Sequence, residues 1–310
     1  MSTIALFGGS GYLGRRLAQR LIAAGDTVRV AVRDAERARG ALRASGLERV
    51  TVYRADVRDR GEIARAVAGA DAVVNAVSAY VEARGVTFEG VHQRGAEAVA
   101  REAAVAGVVR HVLVSGIGAD AGSSSAYIRA RGRGEQLVTH AFPGTTIVRP
   151  SAMFGPGDAL ISTIAGLARV LPALPLIGAG RTHLQPVFVM DVAEAIARIL
   201  ANPETTGCTY ELGGPTVYTL RELYTLTLRL LGSRRVLVPV PFALAGLVAR
   251  VSEWLPNPPL TTGQVDLLKM DNVVSNALPG LPELGIAPKA LAQIAPAILH
   301  STHPDNCGHT

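Results

Sequence analysis

Thr3-Ile4-Ala5-Leu6-Phe7-Gly8-Gly9-Ser10-Gly11-Tyr12-Leu13-Gly14 decides how this chain folds. The first five residues are largely apolar and read as a buried strand. Glycines at 8, 11 and 14 then let the backbone turn sharply into a helix opening at Tyr12. The amide groups at such a helix start carry a partial positive charge, which suits a pyrophosphate. The helix is expected over 12–24, with Gly25 as its C-terminal cap, and a second strand over 28–32. Glycine spacing alone signals no more than a tight turn. Strand, Gly-x-x-Gly-x-x-Gly, helix, glycine stop and second strand within about thirty residues form a dinucleotide-binding pattern. It assigns Gly8, Ser10, Gly11, Tyr12, Leu13 and Gly14 to the cofactor.

A carboxylate at the tip of the second strand would hydrogen-bond the adenosine ribose hydroxyls of NAD(H). This chain has Ala31-Val32-Arg33-Asp34 there, with Arg37 and Arg39 just beyond. An arginine fork suits a 2′-phosphate, so Arg33 favours NADP(H), with NAD(H) as the alternative. A plainer reading also fits: Arg33 is a solvated loop charge and Asp34 caps the next helix.

With 310 residues and 48% hydrophobic content, the chain can build a dinucleotide-binding domain and a substrate-covering lobe. Cys208 and Cys307 cannot make a disulfide framework. A first strand at Thr3 predicts no signal or transit peptide, and no clean apolar run of about eighteen residues predicts a spanning helix. The expected location is therefore cytoplasmic. The net charge of +6 is carried by arginine, since Lys269 and Lys289 are the only lysines among 31 basic residues. Such an excess suits a phosphate ligand, an anionic membrane surface or an acidic protein partner. Scattered arginines and 5% aromatic content offer no base-stacking platform, which argues against nucleic acid.

Strands and helices alternate through the first half, with further strands expected over 50–53, 72–75, 111–115 and 145–148. A helix over 127–139 follows Ser123-Ser124-Ser125, any of which can cap it. After Arg149-Pro150 the texture changes. Residues 186–190 read as a strand, 191–200 as a helix capped by Asp191, and 210–214 as the last strand of the sheet. Beyond Tyr218, helices alternate with breaks at Pro239, Pro241, Pro256, Pro258 and Pro259. The expected fold is α/β: a doubly wound parallel (Rossmann) sheet with a smaller, mostly helical C-terminal lobe over the nicotinamide end of the cofactor. Residues 1–155 and about 184–215 would form the dinucleotide-binding domain, and about 156–183 and 216–300 the small lobe.

Ser115, Tyr127 and Arg131 carry the candidate chemistry. Tyr127 and Arg131 stand four apart, on one helix face, and Ser115 ends a strand twelve residues earlier. With Gly8-x-x-Gly11-x-x-Gly14, Asp56 after the third strand, Arg149-Pro150 and Gly155-Pro156-Gly157, the chain resembles the extended and atypical branches of the short-chain dehydrogenase/reductase superfamily. The resemblance implies that a serine and a tyrosine hydrogen-bond the reacting oxygen. It also implies that the tyrosine is general acid or base, helped by a lysine four residues on. Asp56, Val57, Asn75, Tyr127, Arg131 and Pro150 are the further cofactor-binding residues it implies. Arginine stands where that lysine is expected. Arg131 keeps the charge and can grip a ribose, but a guanidinium does not deprotonate and cannot relay a proton. Tyr127 and Arg131 also fit a plain helix surface pair.

Further segments sharpen the likeness: 127–135, 185–195 (Gln185-Pro186-Val187 through Ala195), Tyr210-Glu211-Leu212-Gly213-Gly214, 264–268 and Asp271-Asn272-Val273-Val274. Together they are similar to the dinucleotide-binding accessory subunit of respiratory complex I and its bacterial relatives, over roughly residues 1–300. That resemblance implies NADP(H) binding, an often incomplete catalytic set, and association with the quinone-handling end of respiration or with quinone biosynthesis. Two functions follow. One is a nucleotide-holding protein of a respiratory or quinone-linked assembly. The other is an NADPH-dependent reductase, epimerase or dehydrogenase acting on a small or lipid-like carbonyl or hydroxyl compound through Ser115 and Tyr127.

Residues 236–255 are apolar apart from Arg250, Ser252 and Glu253, and carry Phe242 and Trp254. They suit the inner face of a membrane or an apolar partner, and equally the core of the small lobe. Residues 161–177 share that ambiguity, and either segment can line a pocket for a prenyl-like chain. The tail holds His300, His303, Cys307 and His309, four candidate metal ligands, but 301–310 is polar and irregular and is expected to be disordered, so no metal is assigned. His92, His111, His140 and His183 are expected at element ends or surfaces, without partners at ligand spacing.

Overall fold

The computed structural model describes residues 1–48, 50–82, 85–254, 260–275 and 277–301, with residues 300 and 301 by backbone alone. Prolines 256, 258 and 259, Leu255, the side chain of His300 and the tail from Thr302 onward, with its candidate ligands, lie outside the described residues. In chain order the elements begin with β1 (Thr3–Phe7), α1 (Tyr12–Ala23), β2 (Thr27–Val32), α2 (Ala35–Arg43), β3 (Thr51–Arg54), α3 (Arg60–Val67) and β4 (Ala72–Asn75). A π-helical turn, Glu89–Gly95, runs into α4 (Ala96–Val105), followed by β5 (Arg110–Val114), α5 (Ala126–Ala141) and β6 (Thr146–Pro150). Then come β7 (Met153–Phe154), α6 (Leu160–Val170), β8 (Ala173–Ile177), β9 (His183–Leu184), β10 (Val187–Phe188), α7 (Val189–Ala201) and β11 (Thr209–Leu212). The last elements are β12 (Tyr218–Thr219), α8 (Leu220–Leu230), β13 (Val236–Val240), α9 (Phe242–Ser252), α10 (Thr262–Leu267) and α11 (Leu291–Ser301).

The chain divides into two units. The first comprises 1–150, 190–212 and 275–286. Its seven strands are ordered β11-β6-β5-β4-β1-β2-β3, and every pairing is parallel. Central strands of such a sheet are covered on both faces, so they read as continuous apolar runs rather than alternating ones. β1 and β4 obey this: Ile4 to Phe7 and Ala72 to Asn75 are all buried. The edge strand β3 is exposed at both ends, and its residues are Thr-Val-Tyr-Arg. Leu13, Leu17 and Leu21 put the apolar stripe of α1 inward, and Gly25 follows it at φ +91°. Phe7, Ile63, Val73 and Val99 anchor one core layer between the sheet and its helices. Residues 275–286 return to this unit because Glu211 takes the Ser275 amide on its carboxylate at 2.7 Å and donates its own amide to the Pro279 carbonyl at 2.9 Å.

The second unit comprises 151–189, 213–274 and 287–310. Its described part is helical with three two-stranded pairings, β10-β7, β12-β9 and β13-β8. Residues 186–190, expected as one strand, give only β10, and α7 begins at Val189, so Asp191 sits in its first turn rather than at its cap. Phe154, Ile161, Leu176, Leu223 and Leu291 form this unit's core. No helix among the described residues is long and apolar enough to cross a membrane.

Candidate functional site

The glycine turn lies at the reversal of strand order, where β1 stands between β2 and β4. Ligands of open α/β sheets bind at such a reversal, beyond the carboxyl ends of the strands. Gly8 adopts φ +79°, and a side chain there would meet the Ala76 carbonyl oxygen, just past β4, at 2.8 Å. A Cβ on Gly14 would overlap the Gly8 carbonyl, so only glycine lets the first turn of α1 settle on the loop. Gly11 is the N-cap; a Cβ there has one near neighbour, the Gly8 oxygen at 3.1 Å, and its outer side is open. No side chain caps α1 and no acidic residue occupies its first turn, so the chain leaves the positive helix end uncompensated. Bare backbone, an open middle glycine and an uncompensated helix start are what a pyrophosphate requires, and the residues present fit a dinucleotide. Ser10 and Tyr12 are half-buried around this turn and Leu13 is buried behind it.

At the ends of β2 and β3 the charges gather. Asp34 does cap α2, accepting from the Arg37 amide at 3.0 Å, while Arg33 is exposed. The Asp56 carboxylate takes hydrogen bonds from the Arg58 side chain at 2.6 and 3.0 Å and from its amide. Those bonds hold the Asp56 carboxyl below the usual carboxylate range, with the Arg33 charge adding to the effect. Arg33, Asp56 and Arg58 therefore form one charged patch. Val57 is buried beside it, and buried Asn75 ends β4 with its Oδ1 accepting from the Val77 amide at 3.1 Å.

Arg131 organises the third part. Its Nη1 donates to the Tyr127 hydroxyl at 2.7 Å, and its Nη2 donates to the Ser115 carbonyl just past β5. The guanidinium lies on Gly116, where any Cβ would overlap it. Tyr127 is 3% exposed, stacked on Tyr80 at 5.7 Å between ring centroids and met edge-on by Phe88 and His92, each at 5.4 Å. Burial pushes the Tyr127 phenol up to about 12, outweighing the Arg131 charge that favours the tyrosinate. Among the described residues the buried Ser115 hydroxyl has no hydrogen-bond partner, because Arg131 takes the carbonyl of that residue and not its side chain. Pro150 ends β6, its carbonyl accepting from the Ile117 amide at 3.3 Å.

Ser115, Tyr127 and Arg131 thus meet, as do the glycine turn and the end of β4, and Arg33 with Asp56. Sequence reasoning missed Tyr80, Phe88 and Gly116, and it expected His92 and His111 at element ends or surfaces. His111 does stand next to the start of β5, but both rings are buried, His92 at 9% and His111 at 1% exposure. The Nε2 of His92 sits 3.0 Å from the Ala79 carbonyl, and burial, then the Arg131 charge, lowers its pKa to about 4. The only sequence signal for this box was the aromatic content of the segment after β4.

The NAD(P)H-binding family profile matches residues 8–171, from the glycine turn through β6 to α6. The chain belongs to this family. Among its relatives, the mitochondrial NADH dehydrogenase (ubiquinone) 1 alpha subcomplex subunit 9 of Arabidopsis thaliana is 34% identical over 298 residues, 92% of this chain and 74% of that protein. Ceramide reductase of Caulobacter vibrioides is 33% identical over 202 residues, 64% of this chain and 60% of its own. The UDP-glucose 4-epimerase of Thermus thermophilus, solved in complex with NAD, shares the fold with a TM-score of 0.73 at 19% identity, over 97% of this chain and all of that one. Family and relatives agree: this is a member of the NAD(P)H-binding family related to the NADH dehydrogenase (ubiquinone) 1 alpha subcomplex subunit 9 proteins, and it shares its fold with the NAD-bound epimerase.

Proposed function

We propose that this protein holds NADP(H) as a structural nucleotide within a respiratory or quinone-linked assembly, on the cytoplasmic side of a membrane, with little turnover. The arrangement of Arg131 carries the reading. Its terminal nitrogens are engaged by Tyr127 and the Ser115 carbonyl, and Tyr127 is a neutral phenol in an aromatic box. A working proton relay needs a group whose pKa lies near operating pH, and neither member of this pair supplies one. Bound NADP(H) supplies hydride exchange in an active enzyme; here the glycine turn grips its pyrophosphate and Arg33 its 2′-phosphate. Kinship with the alpha subcomplex subunit 9 proteins supports the assembly.

A second reading is an NADPH-dependent reductase of a lipid-like carbonyl compound. The unpartnered, buried Ser115 hydroxyl favours it, since buried polar groups normally have a partner and a substrate oxygen would provide one. The relationship to ceramide reductase points the same way. Native mass spectrometry after extensive dilution separates the two. Near-stoichiometric retained NADP(H) is expected. An empty protein that takes up NADPH reversibly, and turns over a carbonyl substrate that the Tyr127→Phe variant does not, would overturn the structural reading.

A further inference from the structure

Helix α9 is built inside out. Its inward face consists of small side chains, Ala245, Ala249 and Ser252. Its outward face carries Leu244 (52% exposed), Leu247 (60%), Val248 and Val251 (66%), spaced i, i+3, i+4 and i+7 in one stripe. Trp254, 90% exposed, prolongs that side just beyond the helix end, and β13, which leads into α9, exposes Val236 and Val238. A helix serving only its own core would bury the leucines and expose the alanines. Beside the stripe lies a groove of about 380 Å³ lined by Phe242, Ala243, Gly246, Leu247, Arg250 and Lys269. Both charged residues among the described lining are cations, and no carboxylate is among them. Lys269 pairs with Asp266 at 2.8 Å, whereas Arg250 has no ion pair among the described residues.

We propose that this face docks on an anionic lipid bilayer. The stripe of α9 lies among the upper acyl chains, Trp254 at headgroup level, and Arg250 with Lys269 against headgroup phosphates. Charge complementarity selects this occupant. A second copy would set Arg250 against another Arg250, with no carboxylate among the described lining residues to receive either, whereas a phosphate-bearing surface supplies the anion and the apolar phase together. The net charge of +6 agrees, and the absence of a spanning helix among the described residues makes this an interfacial contact. The inference rests on the membrane-side placement proposed above and not on the nucleotide.

The test is co-sedimentation of the full chain with vesicles of phosphatidylcholine alone and of phosphatidylcholine with phosphatidylglycerol. Binding is expected to the anionic vesicles only, weakening with salt. Leu247→Asp combined with Val251→Asp should lower partitioning at least roughly tenfold, and Arg250→Gln about fivefold, with unchanged circular dichroism because all three positions are exposed. Wild-type protein left in the supernatant, or sedimenting as well as the doubly substituted variant, overturns the proposal. So does a wild-type dimer in sedimentation velocity that the double substitution dissociates, since a second copy then covers the face. Nucleotide content of the same samples keeps the readings apart: retained NADP(H) without vesicle binding sinks only this inference.

Discussion

Arg131 and Tyr127 show how one residue changes what a site can do. A lysine at 131 would place a compact ammonium on a flexible stem; arginine places a planar fork that donates to two elements at once. Replacing Arg131 by lysine should therefore lose one of those bonds and cost about 1 kcal/mol of stability, measured by urea unfolding. Tyr127→Phe should leave NADP(H) retention within about twofold, because the phenol already spends its hydrogen bonding on the protein rather than on a nucleotide. A variant that releases its nucleotide would make Tyr127 a cofactor ligand. Arg33 belongs at the same scale. If it holds a 2′-phosphate, Arg33→Ser should weaken NADP(H) binding about tenfold and NAD(H) binding hardly at all, by titration calorimetry. Equal losses for both nucleotides would remove the basis for the NADP(H) preference.

At the scale of elements, a charged network ties three of them together. Arg149 on β6 meets Glu135 on α5 at 2.6 Å and Glu211 on β11 at 3.5 Å, and both carboxylates are buried. The hydrogen bond to Glu135 raises the Arg149 pKa further, so the guanidinium stays charged. Arg149→Ala would leave two buried carboxylates without their cation, at a cost of about 3–5 kcal/mol in urea unfolding. A loss within experimental error would mean water compensates them. The strands of the sheet are legible in the sequence, because parallel strands buried on both faces leave uninterrupted apolar runs such as Ile4-Ala5-Leu6-Phe7. The glycine turn was legible too, since its backbone geometry excludes side chains. The π-helical turn at Glu89–Gly95 was not, because its i→i+5 bonding leaves no periodic signature, and with it went the box of Phe88 and His92 around Tyr127. The apolar run in α9 was visible as apolar, but only packing reveals that its small side is the buried one.

The whole molecule should be sensitive to acid before its carboxylates titrate. Burial lowers the pKa of His92 to about 4 and of His111 to about 3, from an ordinary 6.5. Both are therefore neutral in the folded protein, while the unfolded chain binds their protons near its ordinary pKa. Over that interval the unfolded state holds more protons, so stability rises with pH and is lost as pH falls below about 6.5. Each histidine contributes a slope of about 1.4 kcal/mol per pH unit once below that value, or about 4 kcal/mol for the pair between pH 7 and 5. The carboxylates act later. Glu194 is held down to about 2 by hydrogen bonds from Arg20 and then Arg198, so its contribution is present above its ordinary 4.5 and lost only below it. Denaturant unfolding at about pH 7 and pH 5 thus isolates the histidines. His111→Phe keeps the ring volume beside Phe142 and leaves the Thr145 hydroxyl its bond to the Phe142 carbonyl at 2.8 Å. That variant should lose about half of the pH dependence while remaining folded. Stability that is flat over this window would mean that both imidazoles take up protons in the folded chain, and that the interior around β5 and the π-helical turn admits water.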